Sequence, residues 1–389
     1  MLDAIIGVGR DKASGGYRRF AWNDADMLLR EWFVGEAAER CMEVVEDGNG
    51  NQLAWWGTGD DALLLGSHLD SVPDGGAFDG PLGVASSFAA IDRLRAEGFV
   101  PSRPVVVASF ADEEGARFGI ACAGSQLAAG VLEPARALAQ RDREGLTLAE
   151  VLVDRGRDPR AVGRADWMAD IGTFVELHVE QGRSLVHSDS PVGVASAIWP
   201  HGRWRLDFCG EANHAGATEM ADRRDPMLAY AATVLAAREI ATEADARATF
   251  GRLEVEPGGT NAIPSRVRAW LDARAADEGA LDRLVETLVA RAAAAAQADG
   301  TTVELTQESH SPAVQFAPAL RDQLATLLDA PVLPTGAGHD AGVLSAHVPT
   351  AMLFVRNPTG ISHSPQEWAS EADCVAGVRA LVSVVKDLA

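Results

Sequence analysis

Gly66-Ser67-His68-Leu69-Asp70-Ser71-Val72-Pro73-Asp74-Gly75-Gly76-Ala77-Phe78-Asp79-Gly80 is the stretch on which the reading of this chain turns. It follows an apolar run, Ala62 to Leu65, of the kind that forms a buried strand. One His, three Asp and four Gly crowd the loop after that strand. Imidazole and carboxylate together suit zinc, manganese, cobalt or nickel. The glycines let the backbone turn sharply and leave room for an ion. Open α/β sheets place their ligand sites just beyond strand C-termini.

A second segment repeats the pattern. Val105 to Phe110 reads as another buried strand and runs straight into Ala111-Asp112-Glu113-Glu114-Gly115. Alone, Glu113-Glu114 reads as a solvated turn. Beside the first segment the two carboxylates divide into a metal ligand and a group that moves protons. Two more histidines sit where strands should end: His178 in Glu176-Leu177-His178-Val179-Glu180-Gln181-Gly182, and His363 after the apolar run Thr350 to Val355. Each alone reads as a structural histidine; together they supply the ligands that the first two segments lack.

Composition narrows the function classes. Lys plus Arg is 34 against 56 Asp plus Glu, a net charge of −22, which argues against nucleic acid and anionic membrane as partners. The 47% apolar fraction is that of a globular enzyme, and the length of 389 residues suggests two or three domains. No apolar run is long enough to span a membrane, and no basic-then-apolar leader opens the chain. Cys41, Cys122, Cys209 and Cys374 are scattered without a Cys-x-x-Cys pair, which fits a reducing cytoplasm and gives Cys122 a core-packing role.

The element pattern is α/β with an insertion. Ala25–Cys41 and Gly83–Glu97 read as helices, and Asp47–Asn51 as a tight turn between strands. Strand-helix alternation predicts a mixed, largely parallel sheet flanked by helices. From about Pro191 the character changes. Strands are expected at Val192–Ala197, Trp204–Cys209, Gly251–Glu256, Val267–Arg274 and Thr302–Thr306, with helices at Asp225–Thr242 and Ala280–Ala298. That is two β-α-β units in succession, a small α+β sandwich. The α/β pattern resumes with a helix from Ala317 to Leu328 and closes with one from Ser370 to Leu388. The expected division is a catalytic domain of residues 1–191 and 309–389 and an inserted domain of residues 192–308.

The blocks GSHLDSVPDGGAFDG, FADEEGARFG, ELHVEQG, NHAGAT, TNAIPSRVRAWLDAR, GAGHDA and SHSPQEW follow one another along nearly the whole chain. In that order they resemble the hydantoinase/carbamoylase-type amidases: the carbamoylase, allantoate-amidohydrolase and β-ureidopropionase group of the metallo-dependent aminoacylase and carboxypeptidase superfamily. The His in ELHVEQG separates that group from the superfamily's peptidases, which usually have Asp or Glu there. The resemblance implies two divalent metal ions, with His68 and His178 on one, Glu114 and His363 on the other, and Asp79 bridging. It implies that Asp70 orients His68, and that Glu113 is the general base, taking a proton from the attacking water and delivering it to the leaving nitrogen. It implies a cis peptide between Asp79 and Gly80. Gln181 would touch the scissile group, and His214 would polarise its carbonyl across a homodimer interface. Asn261 and Arg274 would grip the substrate carboxylate, with the backbone at Gly336 and Ala337 helping to close the pocket. The inserted domain would serve dimerisation and act as a lid.

The expected substrate is a small ureido carboxylic acid: an N-carbamoyl-L-amino acid, allantoate or an N-carbamoyl-β-amino acid. An aminoacylase or dipeptidase shares the metal site, but His178 speaks against it. A non-catalytic dimeric metal-binding scaffold has no need of Glu113. Without the resemblance, Arg274 reads as half of a surface ion pair with Asp272 or Glu254. His187, His201, His310 and His347 read as structural, Trp55-Trp56 as core or rim packing, and His339 as lining the site from behind its ligands. Three departures bear on substrate: Glu219 where the group usually has Pro, Gln126 where Arg is common, and the basic and aromatic run Trp199 to Arg205.

Overall fold

The computed structural model describes residues 1–389. Its centre is four parallel strands, Val105–Phe110, Ala62–His68, Ile171–Val179 and Thr350–Val355, side by side in that order. All four are buried along almost their whole length, as expected where helices cover both faces of a sheet. Gln52–Trp56 and Glu43–Glu46 extend one side antiparallel, and Val192–Ile198 pairs antiparallel on the other. The helices Pro81–Ala96 and Glu371–Leu388 pack on one another. They seal a core that includes Leu63, Leu65, Leu94, Leu177, Leu353, Leu381 and Val385. The strands reach their C-terminal ends at His68, Phe110, Val179 and Val355. The loops that follow carry the residues singled out in the sequence.

The chain divides into two compact units, Met1–Ala197 with Gln315–Ala389, and Ile198–Val314. The expected junctions at 191/192 and 308/309 therefore fall short at both ends. Val192–Ile198 is a strand of the large sheet, joined to Thr350–Val355 through Val192↔Val355 and Val194↔Leu353. Its near-complete burial is that of a strand inside a covered sheet, and a strand boundary read from sequence does not say which sheet will pair with it.

The smaller unit is a four-stranded antiparallel sheet in the order Thr302–Ser311, His201–Cys209, Arg266–Arg274, Arg247–Glu256. Helices Pro226–Glu243 and Glu278–Ala298 pack together over it. Their core contains Leu206, Phe208, Val267, Leu271, Leu281 and Leu288. Arg266–Arg274 alternates strictly: Val267, Ala269, Leu271 and Ala273 face the helices, and Arg266, Arg268 and Arg274 face away.

On that outer face one carboxylate holds three cations. Asp207 accepts from Arg205 Nε at 2.7 Å, Arg266 Nε at 3.0 Å and Arg268 Nε at 3.2 Å. Burial works against its charge, but the arginines outweigh it and pull its pKa to about 2, below the ordinary 3.8. A lowered folded-state pKa means stability that is full above the unfolded pKa and lost as pH falls through the folded one. Asp207→Asn is therefore expected to lower the melting temperature at neutral pH, with the gap to wild type closing toward about pH 3 and below. An equal gap at both pH values in parallel melts would contradict this reading of Asp207.

Candidate metal centre

Two groups of ligand atoms meet beyond the strand ends. His68, Asp79 and His178 form one, and Asp79, Glu114 and His363 the other; within each, the ligand atoms lie within 4.8 Å of one another. Asp79 belongs to both. Its Oδ1 lies 3.5 Å from His68 Nε2 and 3.2 Å from His178 Nε2. Its Oδ2 lies 3.5 Å from His363 Nε2, which is 3.7 Å from Glu114 Oε2.

The geometry and donor chemistry fit a cation. His178 Nδ1 lies 2.9 Å from Val179 O, and His68 Nδ1 lies 3.2 Å from Asp70 O. A carbonyl can only accept, so each Nδ1 carries a proton, and in the neutral ring that a cation requires each Nε2 presents a lone pair. Both Nε2 atoms are buried and have no hydrogen-bond partner. Two lone pairs facing a carboxylate oxygen repel unless a cation stands between them. Ligand atoms about 2.1 Å from one tetrahedral ion lie roughly 3.4 Å from each other, close to the spacings here. Among the side chains alone, burial opposes a charge on His68, yet Glu113, Asp70 and Asp79 raise its pKa well above the usual value. Burial likewise opposes ionisation of Asp79, but His178 and His68 hold it well below the carboxylate range. Such a cluster binds positive charge.

The loops are held by named contacts. Asp79 is followed by Gly80 at φ +82°, where a Cβ would come within 2.5 Å of the His68 ring. The Asp79–Gly80 peptide is trans, contrary to the cis bond that the resemblance implied. A non-proline cis bond costs about 3 kcal/mol, and glycine makes the turn at positive φ without it. Asp70 differs in detail from its expected part. Its carbonyl is nearer to His68 Nδ1 than its carboxylate is, and the carboxylate instead accepts the N–H of Glu113 at 3.2 Å and of Glu114 at 3.1 Å. Asp70 thus ties the first loop to the second.

Glu113 lies outside both ligand groups, with Oε2 3.7 Å from His68 Nε2. Burial raises its pKa well above the carboxylate range, and Asp340, Glu114 and Asp70 push the same way. Burial, with Asp79, moves Glu114 up to about 8. Gln181, expected at the scissile group, here donates to Asp79 Oδ2 at 2.9 Å and lies 3.3 Å from His363 Nε2. Ala337 N–H is engaged by Thr335 Oγ1 at 3.1 Å, so it is not an open donor; the Gly336-Ala337 loop leads to His339. His339 is buried with its ring 4.5 Å from that of His178, and burial and His178 keep it neutral.

His214, Asn261 and Arg274 belong to the smaller unit. His214 is exposed, and its Nδ1 accepts from Gly216 N at 3.0 Å and Ala217 N at 3.1 Å. The neutral ring therefore carries its proton on Nε2, which is left as a donor. Asn261 sits beside it, its carbonyl accepting from Ala215 N and its neighbour Ala262 paired with His214. Arg274 donates to Asp272 from Nε at 2.8 Å, the ion pair that residue types alone suggested.

Two residues escaped the sequence reading. Cys122, assigned to core packing, donates its thiol to Glu113 Oε1 at 3.4 Å. Glu367, within the quoted SHSPQEW block but given no role, accepts the N–H of both Phe78 and Asp79 on Oε1, at 3.0 and 2.9 Å. It locks the loop of His363 to the loop of Asp79. The local signal was a Glu four residues after His363, beside a glycine-rich loop; a Cβ on Gly76 would fall within 2.5 Å of Glu367.

Comparison with known proteins decides the family. The model of peptidase family M20/M25/M40 matches residues 64–387. The chain belongs to this family. It is a hydrolase of the M20/M25/M40 type, and hydrolases of the family use metal ions. The chain is similar to an N-carbamoyl-L-amino acid amidohydrolase of Geobacillus stearothermophilus, at 38% identity over 98% of this chain and 95% of that one. It is also similar to an allantoate amidohydrolase of Bacillus subtilis, at 30% identity over 97% of this chain and 94% of that one. Among solved structures, a hydantoinase/carbamoylase family amidase from Burkholderia multivorans superposes with a TM-score of 0.90 at 30% identity, over all of this chain and 96% of that one.

Removing an outer residue that orients a ligand loop typically costs about ten- to a hundredfold in metal affinity or activity. Glu367→Ala is expected to weaken metal binding by that order in competition with a chromophoric chelator, and Glu367→Gln, which keeps the Oε1 acceptor, by less. Unchanged affinity in both would remove Glu367 from the support of Asp79.

Proposed function

We propose that this centre holds two divalent ions and cleaves the ureido C–N bond of small N-carbamoyl carboxylic acids. The observation that carries the reading is the Asp79 carboxylate, one oxygen toward His68 and His178 and the other toward His363. His68 and His178 would hold one ion, Glu114 and His363 the other, with Asp79 common to both. Zinc, manganese, cobalt and nickel all suit these donors. Such ions, when bound, polarise a carbonyl and make water a stronger acid.

The chain's own groups do the rest. Glu113 takes a proton from the water whose oxygen adds to the ureido carbonyl carbon. His214, with its proton on Nε2, stabilises the negative charge that develops on the carbonyl oxygen. For an N-carbamoyl amino acid, Glu113 returns its proton to the amino-acid nitrogen as that nitrogen's bond to the carbonyl carbon breaks; the free amino acid leaves with carbamate, which then decomposes to ammonia and carbon dioxide. Burial of Glu113 excludes bulk water from that proton's path. Asn261 and Arg274 hold the substrate carboxylate once Arg274 exchanges Asp272 for it. The resemblance supports a homodimer in which the inserted unit supplies these groups.

Greater identity to the carbamoyl-L-amino acid enzyme than to the allantoate enzyme favours N-carbamoyl-L-amino acids as the substrate class. The test is turnover by metal-loaded protein, read as ammonia released from N-carbamoyl-L-methionine, N-carbamoyl-L-alanine, allantoate and N-carbamoyl-β-alanine, with free methionine released from N-acetyl-L-methionine as control. Preference for the carbamoyl-L-amino acids is expected; cleavage of the acetyl compound alone would refute the ureido reading. Glu113→Gln is expected to reduce kcat by at least about a thousandfold while metal stoichiometry stays that of wild type. Activity above a few per cent would take the base assignment from Glu113.

A further inference from the structure

Away from the metal centre, the larger unit contains a cavity of about 420 Å³ between its N-terminal helix, the helix Pro81–Ala96 and the C-terminal helix Glu371–Leu388. That volume lies in the range of small-molecule sites. Its walls are largely apolar, with Phe78, Leu82, Ala89 and Val378 among them. Arg19 also lines it. This arginine is 1% exposed.

Arg19 is an unusual residue to bury here. Its Nε donates to Val8 O at 3.0 Å, its Nη2 donates to Ile5 O at 2.8 Å, and its guanidinium carbon lies 4.0 Å over the Tyr17 ring. Nη1 is buried with no hydrogen-bond partner. Burial lowers its pKa to about 10, with Tyr17 the sole group acting against that shift. Asp3 and Glu371 line the same cavity, yet neither pairs with the guanidinium. Other buried arginines in this chain are paired: Arg30 with Asp26, and Arg40 with Glu36 and Asp92. A buried cation without an anion is costly, and the N–H groups left over on Nη1 and Nη2 match one carboxylate.

We infer that this cavity is a binding site, distinct from the metal centre, for an aliphatic monocarboxylate whose head pairs with Arg19 and whose tail lies on the apolar wall. Phe78, on the wall, immediately precedes Asp79, and its N–H is held by Glu367. An occupant would therefore pack against the back of the loop that carries Asp79.

The probe is octanoate, titrated calorimetrically into the full-length metal-loaded protein, with octanamide as its uncharged counterpart and inorganic phosphate as an anion without a tail. A charge-assisted pair predicts one octanoate per chain, bound at least about tenfold more tightly than octanamide, and no binding of phosphate. Arg19→Met is expected to abolish the preference for octanoate over octanamide. Because Arg19 also braces the N-terminal segment, Ala89→Phe provides a second variant that fills the cavity from a partly exposed wall position. It is expected to abolish binding of both probes. Arg274→Ala separates this site from the substrate's carboxylate clamp and should leave octanoate binding unchanged. Equal binding of octanoate and octanamide, binding that survives Ala89→Phe, or binding lost in Arg274→Ala would each overturn the inference.

Discussion

The structure depends on one carboxylate, Asp79, that belongs to two groups of candidate ligands. Asp79 must present Oδ1 to two buried imidazole nitrogens and Oδ2 to a histidine on a loop that arrives from the far end of the sequence. Neither orientation is inherent in an aspartate on a glycine-rich loop. Three neighbours impose it. Gly80 allows the turn that brings the loop against His68, Gln181 donates to Oδ2, and Glu367 holds the two amides at Phe78 and Asp79. Without such constraints the loop would sample many conformations, and ligand geometry would carry the entropic cost of ordering it.

Beneath this layer lies a second set of buried acids that stays off the ligand groups. Glu176 accepts from Ser67 Oγ at 2.8 Å and from Ala341 N at 2.9 Å, bridging two neighbouring strands and the start of the helix Asp340–Leu344. Asp340 accepts from Ser125 Oγ, and burial with nearby Glu176 raises its pKa well above the usual value. Buried polar groups persist when their hydrogen bonds are met, and Glu176 meets its own with a hydroxyl and an amide, whereas Asp340 keeps Oδ2 without a partner. Glu176 fastens two strands to one another near their ends, so the candidate ligands extend from a rigid sheet rather than from loops alone.

The smaller unit follows a different logic. Its inner face is an apolar sheet packed under two helices, while its outer face is organised by ion pairs around Asp207 and Asp272. Arg274 shows how one residue type serves two readings. It pairs with Asp272, while the resemblance reads the same guanidinium as a carboxylate clamp. On His214, two backbone amides on Nδ1 settle where the proton of the neutral ring lies.

Residue order alone marked most of the elements and the candidate ligands. Continuous apolar runs marked the strands at Val105–Phe110 and Thr350–Val355, which the structure reproduces residue for residue. The His, Asp and Glu at their ends were legible because metal chemistry demands those side chains and local sequence displays them. Only the tertiary structure decided that Val192–Ile198 joins the large sheet, that the Asp79–Gly80 bond is trans, and that Asp70 spends its carboxylate on the amides of Glu113 and Glu114. It alone revealed Glu367 beneath Asp79 and Cys122 against Glu113. The reason is physical: periodicity and composition report what each segment buries, whereas pairing partners and second contacts depend on which segments, hundreds of residues apart, the packed core brings together.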